Sequence, residues 1–290
     1  MTIKYRTHYF SDAKAKGSFE RYAYSIFGLD FGRWKDRGLW DDQYIPFSAF
    51  VDGECIASIC VFPSEITING RREKWAQLLT VGTLPEYRLQ GIQRELWERA
   101  HDWIKQHCQL TFLFTDDSAA GFYDKLGFKR PAERFDRVKY SSSSHSDMSR
   151  FRKLNVASDA DFAILNRLAH SREPVSDRLG FENPNLLLFM LLYPHQEQLY
   201  YLEDMDIVVV AEDAGERLRV YDIIAERTPR LEDIDFFLSH FQKEEIEFMF
   251  CTDRHDVSNP QKIEVTDSIL FVTDEFQLDG DFIFPATIRA

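Results

Sequence analysis

Apolar positions along the 290-residue chain change period repeatedly, from the alternation of strands to the three-and-four spacing of helices. A short extended stretch, residues 2–10, leads into Ser11-Asp12-Ala13, an N-cap signal for a helix reaching about Phe27. Residues 28–44 are rich in Gly, Trp and Asp and read as an irregular loop, of a length uncommon unless it covers a site. Two strand–turn–strand signals follow. Residues 47–51 and 55–63 flank Asp52-Gly53, and residues 65–68 and 75–81 flank Asn69-Gly70; both dipeptides suit the positive φ of a tight hairpin. After Gly91 the apolar residues Ile92, Leu96, Ala100 and Trp103 share one face of a helix running to about His107. A buried strand at 110–115, a short helix from Asp116 to Leu126 closed by Gly127, and extended chain to Tyr140 complete the first half.

The second half repeats this order. Residues 151–156, then Ser158-Asp159-Ala160 and a helix, echo the start of the chain. Later, LRVYDIIAE, RTPRLEDIDFFLSHF and EIEFMFCTD give strand, helix, strand, the same order as LLTVG, the helix from Ile92, and LTFLFTDD. The polar run Ser141 to Ser146 suits a linker. The expected organisation is a domain over 1–140, a linker at 141–149, and a second domain over 150–290 that ends in a strand at 281–290.

Charge divides the chain in the same place. Residues 1–140 hold 21 Lys and Arg against 19 Asp and Glu, whereas residues 141–290 hold 14 against 29. A near-neutral first half can accept a polyanion; the acidic second half favours a cationic partner. There is no basic stripe of the kind that nucleic-acid binding needs, so nucleic acid is not an expected partner. The longest apolar run, LLLFMLLY, is too short to span a bilayer, and MTIKYRTHYF lacks the apolar core of a signal peptide. Four cysteines without CxxC spacing and eight histidines without a ligand-like pairing suggest a reduced, cytoplasmic chain without a metal.

The chemistry concentrates in VGTLPEYRLQGIQRELWERA, residues 81–100. A strand ends here, a basic turn follows, and an amphipathic helix begins. Such a junction presents unpaired N–H groups and the positive helix end, with Arg88 adding charge and Gly91 allowing close backbone approach. A phosphate or pyrophosphate fits that arrangement; so does a plain helix start with solvated side chains.

Two coupled motifs narrow the choice. The segment PEYRLQGIQ, followed at the proper distance by FYDKLGF (Phe122, Tyr123, Lys125, Gly127, Phe128), resembles the Gcn5-related N-acetyltransferase (GNAT) superfamily. The resemblance covers about residues 1–140. It implies two GNAT-like α/β halves, each with a central mixed, mostly antiparallel sheet flanked by helices, the second half being degenerate. It also implies an acyltransferase that moves an acetyl group from acetyl-CoA to a primary amine, the acidic second half favouring a cationic small molecule or peptide. A non-catalytic acyl-CoA-binding regulatory module is the alternative. In either case Val81, Gly82 and Thr83 would pair with the pantetheine arm. Arg88, Leu89, Gln90, Gly91, Ile92 and Gln93 would cradle the pyrophosphate, and Tyr123 would donate a proton to the departing thiolate.

Departures from the family pattern are specific. Leu89 stands at the first glycine of the usual turn, and Gln93 at the last Gly/Ala position. Asp116 replaces the Asn that often precedes the Tyr helix, and strand 75–81 carries no carboxylate, which leaves the general base unassigned. By resemblance to the two-halved survival-protein relatives, the carboxylate of Ala290 would be a candidate. In the second half the turn from Thr228 to Asp235 has no glycine and three carboxylates. Those carboxylates suit a helix dipole but repel a pyrophosphate.

Overall fold

The computed structural model describes residues 2–141 and 147–290; most of the expected linker run, 142–146, lies outside the described residues. The chain forms two compact units. The first comprises Met1–Ser64, Lys74–Leu113 and Val272–Phe276, and the second Glu65–Glu73, Phe114–Phe271 and Gln277–Ala290.

The first unit opens with β1 (Lys4–Thr7), α1 (Ala13–Phe27) and the short α2 (Gly32–Asp36). Helix α1 starts where the sequence places it, because Asp12 Oδ1 accepts from the N–H groups of Lys14 and Ala15 at 3.1 and 3.2 Å. It stops at Gly28, whose φ of 64° lets its N–H return to Tyr24 O. A meander of β2 (Ile45–Val51), β3 (Glu54–Ile68) and β4 (Arg71–Thr83) follows, then α3 (Ile92–His107) and β5 (Leu110–Thr115). Strand β3 runs unbroken through Pro63, where sequence suggested two strands. The sheet order is β1-β2-β3-β4-β5, antiparallel at β1/β2 and β2/β3 and parallel at β4/β5.

The second unit takes α4 (Asp117–Lys125), β6 (Arg134–Lys139), β7 (Phe151–Lys153), α5 (Asp159–Ser171), β8 (Leu179–Glu182) and α6 (Pro184–Leu192). It continues through β9 (Leu199–Leu202), β10 (Ile207–Ala214), β11 (Arg217–Ile224), α7 (Asp235–Leu238), β12 (Glu245–Phe248), β13 (Gln261–Glu264) and β14 (Ile269–Val272). Its sheet runs β7-β9-β10-β11-β12-β6-β13. From β7 the ladders are antiparallel, antiparallel, antiparallel and then parallel at β11/β12. That order, with one parallel pair at the fourth and fifth strands, reproduces the first sheet. The repeat seen as sequence order is therefore a repeat of topology.

Two expectations change. The helix expected over 227–241 is only the single turn of α7 with 3₁₀ turns on either side. Ile234, Asp235, Phe236, Phe237 and Leu238 are all buried, so this segment has no polar face on which a longer amphipathic helix could be built. The strand expected over 281–290 is absent as well. Phe282, Ile283 and Phe284 are buried, but Pro285 leads into a 3₁₀ turn at 286–288. The C-terminal segment is anchored by side chains. Glu133 accepts from Phe284 N at 2.8 Å and from the Arg289 guanidinium at 2.6 Å.

A buried polar anchor of this unit joins α5's end to β11. Arg172 makes a two-pronged contact with Asp222, 2.8 Å at each oxygen, and Thr287 donates to the same carboxylate at 2.5 Å. Both charged side chains are buried, at 7% and 1% exposure, so each relies on the other for solvation. Replacing Arg172 with Met strands the Asp222 charge in the interior. The unfolding free energy should fall by about 3–5 kcal/mol in urea titrations, whereas a change under 1 kcal/mol would mean that water reaches the carboxylate.

Candidate active site

The site is built on strand β4. Its first part is core: Trp75, Ala76, Gln77 and Leu78 are buried, and Trp75–Gln77 pair with Leu110–Phe112 of β5. The register between the two strands ends there. From Leu78 onward, β4 continues for six residues with no β5 partner, so its N–H and C=O groups on that side face a gap.

Thr80 lies inside this unpaired stretch with φ 51°, in the left-handed region. For a β-branched residue that conformation costs about 1–3 kcal/mol and bends the strand. It is held from the side, because the Thr80 and Tyr44 hydroxyls are hydrogen-bonded. Tyr44 is buried, and burial pushes its phenol well above the ordinary range, so it remains protonated.

Two residues further on, Gly82 has no room for a side chain. A methyl there would come within 2.9 Å of Phe27 Cζ, 3.0 Å of the Tyr22 hydroxyl and 3.3 Å of Ile26 Cδ1. The last turn of α1 therefore lies directly on the strand, and glycine is required for that approach.

The turn from Arg88 to Gln93 then organises itself around its own backbone. Arg88 Nε donates to Thr83 O at 3.1 Å, folding the cation back over the strand end. Leu89 takes φ 62° and points its side chain fully into solvent; Gly91 takes φ 78°. Helix α3 begins at Ile92, which is buried, and its first helical bonds run from Arg94 and Glu95 to Gly91 O. Among the described residues, the N–H groups of residues 89–93 have no acceptor. The glycine-to-leucine departure at 89 is met by a strained backbone with the side chain turned outward. Gln93 does not stand in front of the turn. Its side-chain amide donates back to the carbonyls of Gly82 and Ser58, tying the helix start to β4 and β3.

All nine residues expected at the cofactor thus gather in the first unit. Tyr123 belongs to the second. It sits on α4, buried among Phe122, Phe128 and Phe271, with ring centroids 5.2, 5.9 and 5.2 Å away. Burial raises its pKa, and its hydroxyl has no hydrogen-bond partner among the described residues. Lys125, on the same helix, is exposed. Ala290 is exposed in the second unit, its N–H bonded to Ile288 O.

The corresponding turn of the second unit is closed by its own carboxylates. Thr228 N donates to Glu173 at 2.6 Å, Arg230 N donates to Asp233 at 3.1 Å, and the Arg230 guanidinium pairs with Glu232 and Asp233. Two N–H groups of this turn, those of Thr228 and Arg230, are thus already taken by carboxylates. Among the described residues no three His, Cys, Asp or Glu side chains gather in a metal-holding group, and no helix is long and apolar enough to cross a membrane.

Tyr44, Thr80, Tyr22 and Phe27 escaped the sequence reading. Only the length of the loop read over residues 28–44 hinted at a role for that segment.

Residues 12–128 match the model of the acetyltransferase (GNAT) family. No curated protein matches the chain. Solved structures share its fold, among them the following three. A conserved Enterococcus faecalis protein described as a probable N-acyltransferase is 13% identical at TM-score 0.63, over 94% of this chain and 72% of that one. Eis1 from Mycobacterium abscessus is 16% identical at TM-score 0.58, over 93% and 73%. A GCN5-related N-acetyltransferase from Kribbella flavida is 16% identical at TM-score 0.54, over 93% and 71%. The fold carries over from these structures, and the match to the acetyltransferase (GNAT) family is carried by residues 12–128.

Proposed function

We propose that the protein transfers an acetyl group from acetyl-CoA to a primary amine on a cationic small molecule or peptide, with the acyl-CoA site carried by residues 1–140. The observation that carries this reading is the continuous donor lane of the first unit. It consists of an unpaired β4 edge over residues 78–83 and, directly after it, five N–H groups without acceptors at the start of α3. A pantetheine arm has amide groups that match an open strand edge, and a pyrophosphate matches the donors of a helix start. In this reading Val81, Gly82 and Thr83 line the arm, while Arg88 and the backbone of residues 89–93 hold the pyrophosphate.

The chemistry needs little more than positioning. The amine attacks the thioester carbonyl carbon, the C–S bond breaks, and the proton lost from nitrogen is balanced by the one gained at sulfur. Holding both reactants together contributes much of the rate. Tyr123 is the proposed proton donor to sulfur, on the strength of its FYDKLGF motif. A phenol near 10 or above is a weaker acid than a thiol near 8.5, so its main work is a hydrogen bond that strengthens as charge develops on sulfur. The balance of 29 acidic against 14 basic residues over 141–290 supports a cationic acceptor.

Three outcomes are expected. Tyr123→Phe should lower kcat by about 10²–10³-fold, measured as thiol release, with CoA binding and thermal stability retained because the hydroxyl makes no hydrogen bond among the described residues. Unchanged kcat would remove Tyr123 from the mechanism. Because burial raises the Tyr123 pKa above its ordinary value, the phenol stays protonated through the assay range. The kcat profile of the parent should therefore show no falling alkaline limb below about pH 10, and a limb near pH 8 that vanishes in Tyr123→Phe would contradict this. Gly82→Ala should push α1 off the strand, costing about 1–3 kcal/mol of stability and raising KM for acetyl-CoA. An unchanged KM would place the arm elsewhere.

A further inference from the structure

Residues 28–44 take no part in the donor lane, yet they build the most aromatic region of the first unit. Their last residue, Tyr44, is surrounded by six rings. Phe10, Phe19 and Phe62 lie at 6.1 Å between centroids, Phe31 and Trp40 at 5.9 Å, and Trp34 at 5.8 Å. Rings packed at these distances fix the tyrosine in one rotamer, so its hydroxyl is a stationary point in the core. That hydroxyl meets one strained residue, Thr80.

Thr80 stands within the lane, just upstream of Val81, Gly82 and Thr83. Taken backward along the chain, the pyrophosphate donors at 93–89 come first, then the strand residues Thr83, Gly82 and Val81, then Thr80. An acyl-CoA laid along this path brings its thioester, the group farthest from the pyrophosphate, opposite Thr80. A left-handed residue turns its own peptide out of the strand's alternation, which re-aims the adjacent N–H and C=O groups. A β-branched side chain opposes that conformation, and an extended Thr80 would lose the turned peptide.

We infer that Tyr44 is a positioning residue for acyl transfer: its hydroxyl, fixed by the aromatic cluster of residues 28–44, holds Thr80 left-handed and so sets the β4 backbone that faces the thioester. The inference rests on the acetyl-CoA reading given above. Tyr44 acts through Thr80 and touches neither substrate. Its contribution falls on kcat, because the arm and pyrophosphate contacts at 81–93 do not depend on it. A hydrogen bond that merely stabilised the core would leave the kinetic constants of the folded enzyme unchanged.

Glycine provides the discriminating test, since it adopts a φ of about 50° without help. In the full-length protein, assayed for thiol release with acetyl-CoA and an amine library, Tyr44→Phe should lower kcat about tenfold, the scale of one lost buried hydrogen bond, with KM for acetyl-CoA within twofold. In a Thr80→Gly background the same substitution should cost less than twofold. Thr80→Val, which keeps the branch and removes the hydroxyl without touching the aromatic cluster, should turn over about tenfold more slowly than Thr80→Gly. That pair carries the test if Tyr44→Phe does not fold. Equal losses from Tyr44→Phe in both backgrounds, a loss confined to KM, or equal turnover of the valine and glycine variants overturns the inference while leaving acetyl transfer intact. Absence of thiol release from the parent with every amine overturns the acetyl-transfer reading and this inference with it.

Discussion

The parting of β4 from β5 is the constraint on which the first unit depends. Three residue pairs close the parallel ladder, and then the strand runs on alone. A strand edge with unpaired polar groups is costly to bury and hazardous to expose, so the neighbouring elements must manage it. They do so selectively. Arg88 caps the Thr83 carbonyl and the Gln93 amide takes the Gly82 carbonyl, while the N–H groups of residues 89–93 are left open. Side chains thus satisfy acceptors and leave donors free, which gives the lane a preference for an anionic, acceptor-rich guest.

The two units show what that selectivity amounts to. They share strand order, each with a parallel pair between its fourth and fifth strands. They differ at the turn that follows. In the first, glycine and a left-handed leucine open the backbone; in the second, Glu173 and Asp233 take the N–H groups of Thr228 and Arg230. Carboxylates placed there do the work an anionic ligand would do, so a shared fold carries one open turn and one closed turn. The segment that matches the acetyltransferase (GNAT) family, residues 12–128, contains the open one. Fold and site are separable in this chain, as expected where function is grafted onto a common scaffold.

Local features were legible in the sequence. The α1 cap at Asp12, the two glycine hairpins, the helix from Ile92 and the paired motifs at 88–93 and 122–128 each depend on residues close together in the chain. What escaped depends on contacts across the fold. The left-handed Thr80 carries no sign in its own residue type, since its conformation is supported by Tyr44 from thirty-six positions away. The need for glycine at 82 comes from α1 lying on it. Gln93 reads as an obstacle to a phosphate until its side chain is seen to turn back to β4. The C-terminal segment looked like a strand because Phe282 to Phe284 are apolar. Its conformation follows from Pro285 and from the Glu133 carboxylate, which takes a backbone N–H that a ladder would otherwise use.

The central claim is that the open donors at the start of α3, joined to the unpaired edge of β4, form the acyl-CoA site. A crystal structure of the protein with CoA tests it directly. The pyrophosphate is expected within hydrogen-bond distance of the N–H groups of residues 89–93, with the pantetheine arm along Val81 to Thr83. CoA bound with its pyrophosphate anywhere else, including the carboxylate-filled turn at Thr228 to Asp235, would contradict it.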